Sequence, residues 1–126
     1  ALENLKGKIK NKKVVCICSG GNQDISRYAE IIERSLIYRG LKHYFIIEFV
    51  QRPGELKRFL DTTLDKSDDI VRFEYLKKTN RESGSALVGM QFTNSSNYNK
   101  FILNLNEKKI NYKEITNDPI LYSFII

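Results

Sequence analysis

Residues 43–64 read HYFIIEFVQRPGELKRFLDTTL, and this stretch decides the fold. Its first part, HYFIIEFV, is apolar, aromatic and β-branched, which predicts a buried strand. The apolar residues after the strand recur at helical spacing and predict a helix with one face toward the core; they are Leu56, Phe59, Leu60 and Leu64. Between the two lies QRPGE, a tight turn in which Pro53 suits the first helical position. The strand and the helix should therefore pack back to back.

The turn itself is the candidate functional site. Gly54 has no side chain that would hold a ligand away from the main chain. The free amide groups at the start of a helix attract a carboxylate. A small ligand that carries a carboxylate could therefore approach the backbone at this bend.

The rest of the chain after this turn supplies three more strands and two more helices. Strands are predicted over residues 70–78, 86–92 and 111–115, with a polar loop over 65–69 and a hairpin turn over 80–84. Ser95 or Ser96 should cap the first of these helices. Asp118 followed by Pro119 predicts a short helix, or else an edge strand, at the end of the chain.

The order strand, helix, strand, strand, helix, strand predicts an α+β fold. It describes a ferredoxin-like βαββαβ sandwich with both helices on one face of the sheet. In the strand at 70–78, regular alternation puts Val71, Phe73 and Tyr75 on the core side. The other face of the sheet keeps apolar residues, and we expect a second copy or a partner domain to cover it.

The first 40 residues predict a strand, a glycine-rich turn and a helix. The strand is KVVCIC at residues 13–18, and its Cys16 and Cys18 should be small buried hydrophobic residues in a reducing compartment. SGGN follows, and Asp24 can cap a helix that Gly40 ends. One strand cannot make a sheet, so we assign this segment to the end of a neighbouring α/β domain.

Length and composition fit one globular domain. The chain has 126 residues, of which 41% are hydrophobic and 29% charged. Its net charge is +6, but residues 1–13 carry five lysines and one glutamate, a net +4. A basic start without aromatic residues is more typical of a solvated tail than of a nucleic-acid groove. With neither a signal peptide nor a long apolar run, we expect a cytoplasmic protein that binds neither nucleic acid nor membranes.

The residue types that carry chemistry do not form a catalytic or metal-binding pattern. His43 is the single histidine and has no partner set for catalysis, and the SGGN turn lacks the spacing of phosphate-binding loops. Four acidic residues cluster without the spacing of a calcium loop and fit a solvated loop; they are Asp61, Asp65, Asp68 and Asp69. Glu48 is the odd carboxylate in an apolar strand, where it faces the open side of the sheet or pairs with a neighbouring cation. We therefore do not expect this chain to be an enzyme by itself, nor to bind a metal.

Five segments of the chain carry a resemblance to a known family. They are VVCICSGGNQDISRYAEIIERSLIYRGLKHYF at 14–45, QRPGELKRFL at 51–60, DDIVRFEYLKK at 68–78, SALVGMQF at 85–92 and NDPILY at 117–122. With them the sequence resembles the C-terminal part of threonine dehydratase (threonine deaminase), in the form with a single ACT-like regulatory domain. The resemblance implies that residues 1–40 are the end of the catalytic domain, which binds pyridoxal phosphate, and that residues 41–126 are the ACT-like domain.

The resemblance also implies a function. The parent enzyme would be a pyridoxal-phosphate-dependent threonine ammonia-lyase that converts threonine to 2-oxobutanoate and ammonia for isoleucine biosynthesis. Its regulatory domain would bind isoleucine as feedback inhibitor, often with valine as antagonist. Ser19 would meet the pyridine nitrogen of the cofactor in the full-length enzyme only, and we expect no cofactor in this chain.

The effector site implied by the resemblance coincides with the turn. Main chain of the turn would contact the ammonium and carboxylate, and residues of adjacent strands would bound the side chain; the full set is Gln51, Arg52, Pro53, Gly54, Glu55, Leu56, Phe73, Tyr75 and Val88. Such effectors commonly sit between two modules. We therefore expect the domain to pair with a second copy, in a homodimer or a tetrameric parent, and to act on its own catalytic domain.

Two other functions fit the same order of elements. An RNA recognition motif needs exposed aromatic residues on its first and third strands, and the third strand here has none before Phe92. A dimerisation module without a ligand is the second alternative. Titration with branched-chain amino acids would separate that alternative from an effector-binding domain.

Overall fold

The structure, a computed structural model, describes residues 3–17, 19–21, 24–75 and 81–125. Its elements, in chain order, are a 3₁₀ helix (Glu3–Leu5), α1 (Ser26–Tyr38), β1 (Lys42–Val50), α2 (Glu55–Thr63), β2 (Asp69–Tyr75), β3 (Ser83–Gln91), α3 (Ser95–Glu107), β4 (Tyr112–Glu114) and α4 (Pro119–Ser123). The four strands form one antiparallel sheet in the order β2-β3-β1-β4. This topology confirms the predicted ferredoxin-like, ACT-like α+β fold. The last element is a helix, capped by Asp118 as predicted.

One face of the sheet and the two helices α2 and α3 enclose the hydrophobic core. The residues of β1 that belong to this core are Phe45, Ile47 and Phe49, at the alternating positions that the sequence predicts. The other core residues are Phe59 of α2, Phe101 and Leu105 of α3, and Ala86, Val88, Met90 and Phe92 in and after β3. The rings of Phe49 and Phe59 meet edge to face with their centroids 4.9 Å apart, so aromatic packing fixes α2 on β1.

β2 departs from regular alternation at Val71. Between Ile70 and Arg72 the register to β3 shifts by one residue, and Val71 is the extra residue of a β-bulge. Ile70 thereby packs on the core together with Phe73 and Tyr75, whereas Val71 is 37% exposed. The prediction that Val71 faces the core is wrong because one inserted residue reverses the side to which its neighbours point.

The connection from β2 to β3 is only partly described. Residues 76–78 of the predicted strand and residue 80 of the predicted hairpin turn lie outside the described residues. Gly84, which we expected in that turn, is already within β3 and pairs with Phe49. Strand pairing to β1 therefore continues to Ser83, three residues closer to the turn than the apolar pattern indicates.

Two helix ends show how local hydrogen bonds set the boundaries. Asn94 caps α3, because its Oδ1 accepts a hydrogen bond from Asn97 N at 2.9 Å. The predicted caps Ser95 and Ser96 are instead the first helical residues. Gly40 ends α1 as predicted, with a φ of 65° that a residue with a side chain rarely adopts.

The second face of the sheet is partly covered by helices of the same chain, where we expected a partner. Tyr44 on this face is 4% exposed, and its hydroxyl donates to Glu33 Oε1 of α1 at 2.5 Å. The ammonium of Lys42 pairs with the same carboxyl group. The Tyr44 ring also meets Tyr122 of α4 edge to face, at 6.0 Å between centroids, and lies over Gly89. Tyr44 is therefore the residue through which α1 and α4 join the sheet.

Residues 13–17 do not form the predicted strand. Val15 and Ile17 are 89% and 87% exposed, and Cys16 is exposed rather than buried. Cys18 lies outside the described residues. A strand needs a neighbour that accepts and donates its backbone hydrogen bonds, and the described part of this chain offers none to this segment.

α1 forms over the predicted residues but buries none of its side chains fully. Asp24 contributes one hydrogen bond at its start, accepting from Ser26 N at 3.3 Å. Tyr28, Ile31 and Ile32 remain about half exposed on one side of the helix. The helical period of the sequence is thus correct, although most of its apolar stripe is uncovered in this chain.

Candidate functional site

The bend between β1 and α2 is a type II turn. Glu55 N donates to Arg52 O at 3.4 Å, and Gly54 has φ 87° and ψ −13°, the values of the third turn position. Pro53 occupies the second position, which suits its fixed φ. The helix begins only at Glu55, so the prediction that Pro53 is its first residue is wrong. Gly54 is required at this place because of its positive φ.

Gln51 ties the turn to the start of β3. Its Nε2 donates to Arg81 O at 2.9 Å and to Ser83 O at 3.0 Å, and its backbone N donates to Glu82 O at 2.8 Å. Gln51 therefore holds the turn in place through its side-chain amide nitrogen. Its Oε1 is a buried acceptor without a hydrogen bond among the described residues.

A small apolar hollow beside the turn, which we call the recess, has a volume of about 50 Å³. Its lining residues are Phe49, Val50, Arg52, Glu55, Leu56, Phe73 and Tyr75. Gln51, Pro53 and Gly54 form the bend without lining the recess. Val88 was expected to bound a ligand, but it is 0% exposed in the core and has no surface to offer. Sequence reasoning missed Phe49 and Val50, although their position directly before the turn is a usable signal.

The recess combines an apolar floor with two opposite charges. Arg52 is exposed, Glu55 is half-buried, and Leu56 is 41% exposed and so lies outside the core that its spacing predicted. Glu55 Oε1 lies 3.8 Å from Arg58 Nη1, a long ion pair near the surface. Because a ligand pocket usually has roughly 300 Å³ or more, the recess can hold only part of a small ligand. A second surface must complete any site built on it.

A larger cavity, which we call the cleft, lies on the other side of α2. Its volume is about 380 Å³, and it is lined by Glu48, Phe49, Val50, Glu55, Arg58, Phe59, Thr62, Ser83, Lys108, Lys109, Ile110 and Asn111. Glu48 is exposed, and its Oε2 accepts a hydrogen bond from Asn111 Nδ2 at 3.2 Å. The partner of this carboxylate is thus an amide and not the cation considered from the sequence. Sequence reasoning missed the cleft because the loop after α3 meets α2 only in the folded chain.

The single histidine belongs to a part-buried hydrogen-bond network whose members line neither cavity. His43 Nδ1 lies 2.6 Å from Glu114 Oε1, and Tyr98 donates to Glu114 Oε2 at 2.9 Å. Burial acts to raise the pKa of Glu114, but hydrogen bonds from His43, Tyr98 and Thr116 outweigh it and lower that pKa. Burial, together with the Glu114 hydrogen bond, raises the pKa of Tyr98 to about 12. This arrangement joins β1, α3 and β4, so it gives His43 a structural role.

Ser19 does not lie in a cradle that could hold a cofactor. It is exposed, and a Cβ added at Gly20 or Gly21 would meet nothing within 4 Å. Pyridoxal phosphate needs several groups around its phosphate and ring, and residues 19–21, the described part of this turn, present a serine hydroxyl and glycine backbone. The residues present therefore do not fit the cofactor by themselves.

Two further observations concern the described residues as a whole. No group of three or more His, Cys, Asp or Glu side chains among them is arranged to hold a metal ion. Asp65 of the acidic loop instead pairs with Lys100, whose Nζ lies 2.8 Å from Asp65 Oδ2. None of the helices in the described ranges is long and apolar enough to cross a bilayer.

Comparison with known sequences places the chain in a family. The sequence model of the C-terminal regulatory domain of threonine dehydratase matches residues 33–125. The chain belongs to this family. The turn, the recess and the cleft of this threonine dehydratase regulatory domain all lie within the matched region.

The regulatory domain is similar to parts of several curated bacterial proteins. It is 49% identical over all 126 residues to L-threonine dehydratase biosynthetic IlvA of Bacillus subtilis (strain 168), and 45% identical over 126 residues to the protein of that name from Lactococcus lactis subsp. lactis (strain IL1403). It is 47% identical to that of Corynebacterium glutamicum over 112 residues, which is 89% of this chain. The chain spans 30% of the length of the first two relatives and 26% of the third.

Proposed function

We propose that this regulatory domain binds isoleucine, and valine in competition with it, at the recess beside the Arg52–Glu55 turn. The observation that carries the proposal is the recess itself, because it places one cation and one carboxylate beside an apolar hollow. A branched amino acid has the matching set of groups. Arg52 would receive its carboxylate, Glu55 its ammonium, and Leu56 and Phe73 would contact its side chain.

The small volume of the recess supports binding between two copies. A hollow of about 50 Å³ covers only a fraction of an amino acid, so the remaining surface must come from a second domain. We propose a homodimer through this domain, within a dimeric or tetrameric parent. Isoleucine differs from valine by one methylene, worth only about 1 kcal/mol of transfer free energy. Discrimination therefore depends also on how each ligand favours pairing.

The parent protein is proposed to be a cytoplasmic threonine ammonia-lyase that depends on pyridoxal phosphate. Similarity to proteins named as biosynthetic threonine dehydratases supports this, and so does the short span of the chain relative to them. Residues 1–40 would then belong to its catalytic domain and residues 41–126 to its regulatory domain. The exposed stripe of α1, with Tyr28 and Ile32, fits a segment that packs against a domain outside this chain. Ser19 would meet the cofactor only in that larger context.

Calorimetric titration of the chain with isoleucine and with valine tests the effector site. We expect saturable heat at millimolar ligand or below, and a shift toward dimer in sedimentation velocity when isoleucine is present. Arg52→Gln should weaken binding at least tenfold, because it removes the group that faces the carboxylate. Arg39→Gln changes an exposed arginine at the end of α1 and should bind as the unchanged chain does.

Two results would contradict the proposal. One is pairing of the chain without heat from either amino acid, which would favour the ligand-free dimerisation module. The other is Arg52→Gln binding with full affinity. RNA binding receives no support from the sheet, because Tyr44, the aromatic residue on the second face of β1, is covered by α1 and α4.

A further inference from the structure

The cleft and the recess lie on opposite sides of α2. The recess is bounded by Phe73 and Tyr75 of β2, at one edge of the sheet. The cleft is bounded by residues 108–111, which lead into β4 at the other edge. The cleft has about 380 Å³, within the range of sites that enclose a small molecule. It is therefore a candidate site in its own right.

The backbone of β1 supplies a donor to the cleft. Glu48 N donates to Asn111 O at 2.9 Å, just before β4 begins, whereas Gln51 N donates to Glu82 on the β3 side. Backbone amides alternate between the two edges of a strand. The amide of Val50 therefore points to the same edge as that of Glu48, beyond the last bond toward β4. Since Val50 lines the cleft, its N–H is placed to meet a ligand oxygen there.

Lys109 sits in the wall of the cleft in a backbone conformation that favours glycine. Its φ is 53°, and it is the first residue beyond the C-cap of α3. Lys109 N donates to Asn106 O and Ile110 N to Leu105 O, both at 3.0 Å, which is the Schellman arrangement. Glycine adopts this conformation without the strain that a side chain brings. A strained lysine at a cavity wall points to a use for its side chain.

The charges around the cleft are of both signs. Glu48 and Glu55 are acidic, and Arg58, Lys108 and Lys109 are basic. Phe49, Phe59 and Ile110 give the cleft an apolar part. A ligand that matches all three features carries a carboxylate, an ammonium and an apolar body.

We propose that the cleft is a second amino-acid site, distinct from the recess, which binds the zwitterion of an α-amino acid. The ligand carboxylate meets the ammonium groups of Lys108 and Lys109 and the amide of Val50. Its ammonium meets Glu48 and Glu55, and its side chain lies against the apolar part of the cleft. None of these contacts requires a second copy of the chain.

Glu55 lines both cavities, which couples them if both bind amino acids. One carboxylate that pairs with the ammonium of a ligand in the cleft is less available to a ligand in the recess. Occupation of the cleft therefore weakens binding at the recess, and the reverse effect must be equal in size. This coupling rests on the proposed function of the recess, whereas the site in the cleft does not.

Amide chemical shifts can test the two sites separately. Isotope-labelled chain is titrated with L-isoleucine, L-valine and L-phenylalanine, and with 3-methylpentanoate, which lacks the ammonium group. We expect saturable shifts of residues 109–111 with at least one amino acid and at least tenfold weaker binding of the carboxylate. The amides of Arg52, Gly54 and Leu56 report on the recess. If these amides did not shift with isoleucine or valine, the proposed function of the recess would be contradicted, whereas the proposed site in the cleft would be unaffected.

Lys109→Gly provides a variant that should fold at least as well as the unchanged chain. It removes the ammonium group and relieves the backbone, so the melting temperature should stay equal or rise while binding at the cleft weakens at least tenfold. Lys66→Gly, in the exposed loop before β2, should leave the shifts of residues 109–111 unchanged. The proposal is overturned if no amino acid shifts residues 109–111, if 3-methylpentanoate binds equally well, or if Lys109→Gly binds with full affinity.

Discussion

The imidazole of His43 and the carboxylate of Glu114 are hydrogen-bonded, with 2.6 Å between Nδ1 and Oε1. The other ring nitrogen, Nε2, lies 3.0 Å from the carbonyl oxygen of Gly40. Both partners are oxygen atoms, so a polar contact on each side holds the imidazole ring in place. The pair thus connects the end of α1, the start of β1 and the end of β4.

Glu114→Gln should make the stability of the domain less sensitive to acid. Hydrogen bonds lower the pKa of Glu114 in the folded chain, so its contribution is present above the ordinary value of 4.5 and is lost as the pH falls through the folded pKa. We expect a loss of about 2 kcal/mol at neutral pH, typical of hydrogen bonds to a charged group. Urea unfolding from pH 7 down to pH 3 measures both effects. Glu107→Gln, at the exposed end of α3, should retain the acid sensitivity of the unchanged chain.

Leu105→Ala should destabilise the domain strongly. Leu105 is 0% exposed, between α3 and the sheet, and its truncation leaves a cavity that costs about 2–5 kcal/mol. Leu103→Ala on the same helix is the matched control, because Leu103 is 61% exposed. Thermal and urea unfolding should separate the two variants by at least about 2 kcal/mol. Equal stability of the two would contradict the described orientation of α3.

Gly89→Ala should disturb the contact between α1, α4 and the sheet. A Cβ at this position would lie 2.7 Å from Tyr44 Cε1 and 3.0 Å from Arg72 Cβ. Overpacking of this kind costs about 1–3 kcal/mol. The control is Gly21→Ala, where the added Cβ meets nothing within 4 Å. Proteolysis of α1 under native conditions should accelerate in Gly89→Ala and not in Gly21→Ala.

Lys109→Gly should stabilise the folded chain by up to about 1 kcal/mol, since it removes the strain of a left-handed residue with a side chain. The gain is limited because glycine also increases the entropy of the unfolded chain. Lys108 has a φ of −86°, where glycine relieves nothing, so Lys108→Gly should be neutral or destabilising. Chemical denaturation of both variants gives the comparison. A destabilised Lys109→Gly would mean that the lysine side chain itself supports the helix end.

Much of the fold follows from local patterns in the sequence. The structure differs from the predicted fold where a single residue or a contact with a distant segment determines the local conformation. Alternation located β1 and most of β3, because the residues that face the core there are two positions apart. At Val71 the same rule fails, since a bulge depends on pairing with β3 and leaves no mark in the apolar pattern. The segment at 13–17 has the composition of a strand, but composition does not show whether a neighbouring strand is present to form the backbone hydrogen bonds. Pro53 and Gly54 fit both a helix start and a type II turn, and only the backbone angles distinguish them.

The candidate site was predictable to the extent that it is continuous in sequence. Arg52, Glu55 and Leu56 follow one another around the bend, so a single turn brings them together. Val88 was placed beside them by strand order, yet its side chain points into the core. The cleft joins the β1 end, α2 and the loop after α3, and no period or motif links segments so far apart in the chain. The positive φ of Lys109 likewise appears only in coordinates.

The bulge at Val71 also limits how the edge strand β2 can pair with a strand of another chain. β2 is an edge strand, and an uninterrupted edge is a template on which identical chains add without limit. The extra residue breaks the regular row of amide and carbonyl groups, which leaves at most a short stretch for pairing. The outer edge of β2 is therefore a poor template for growth into fibres.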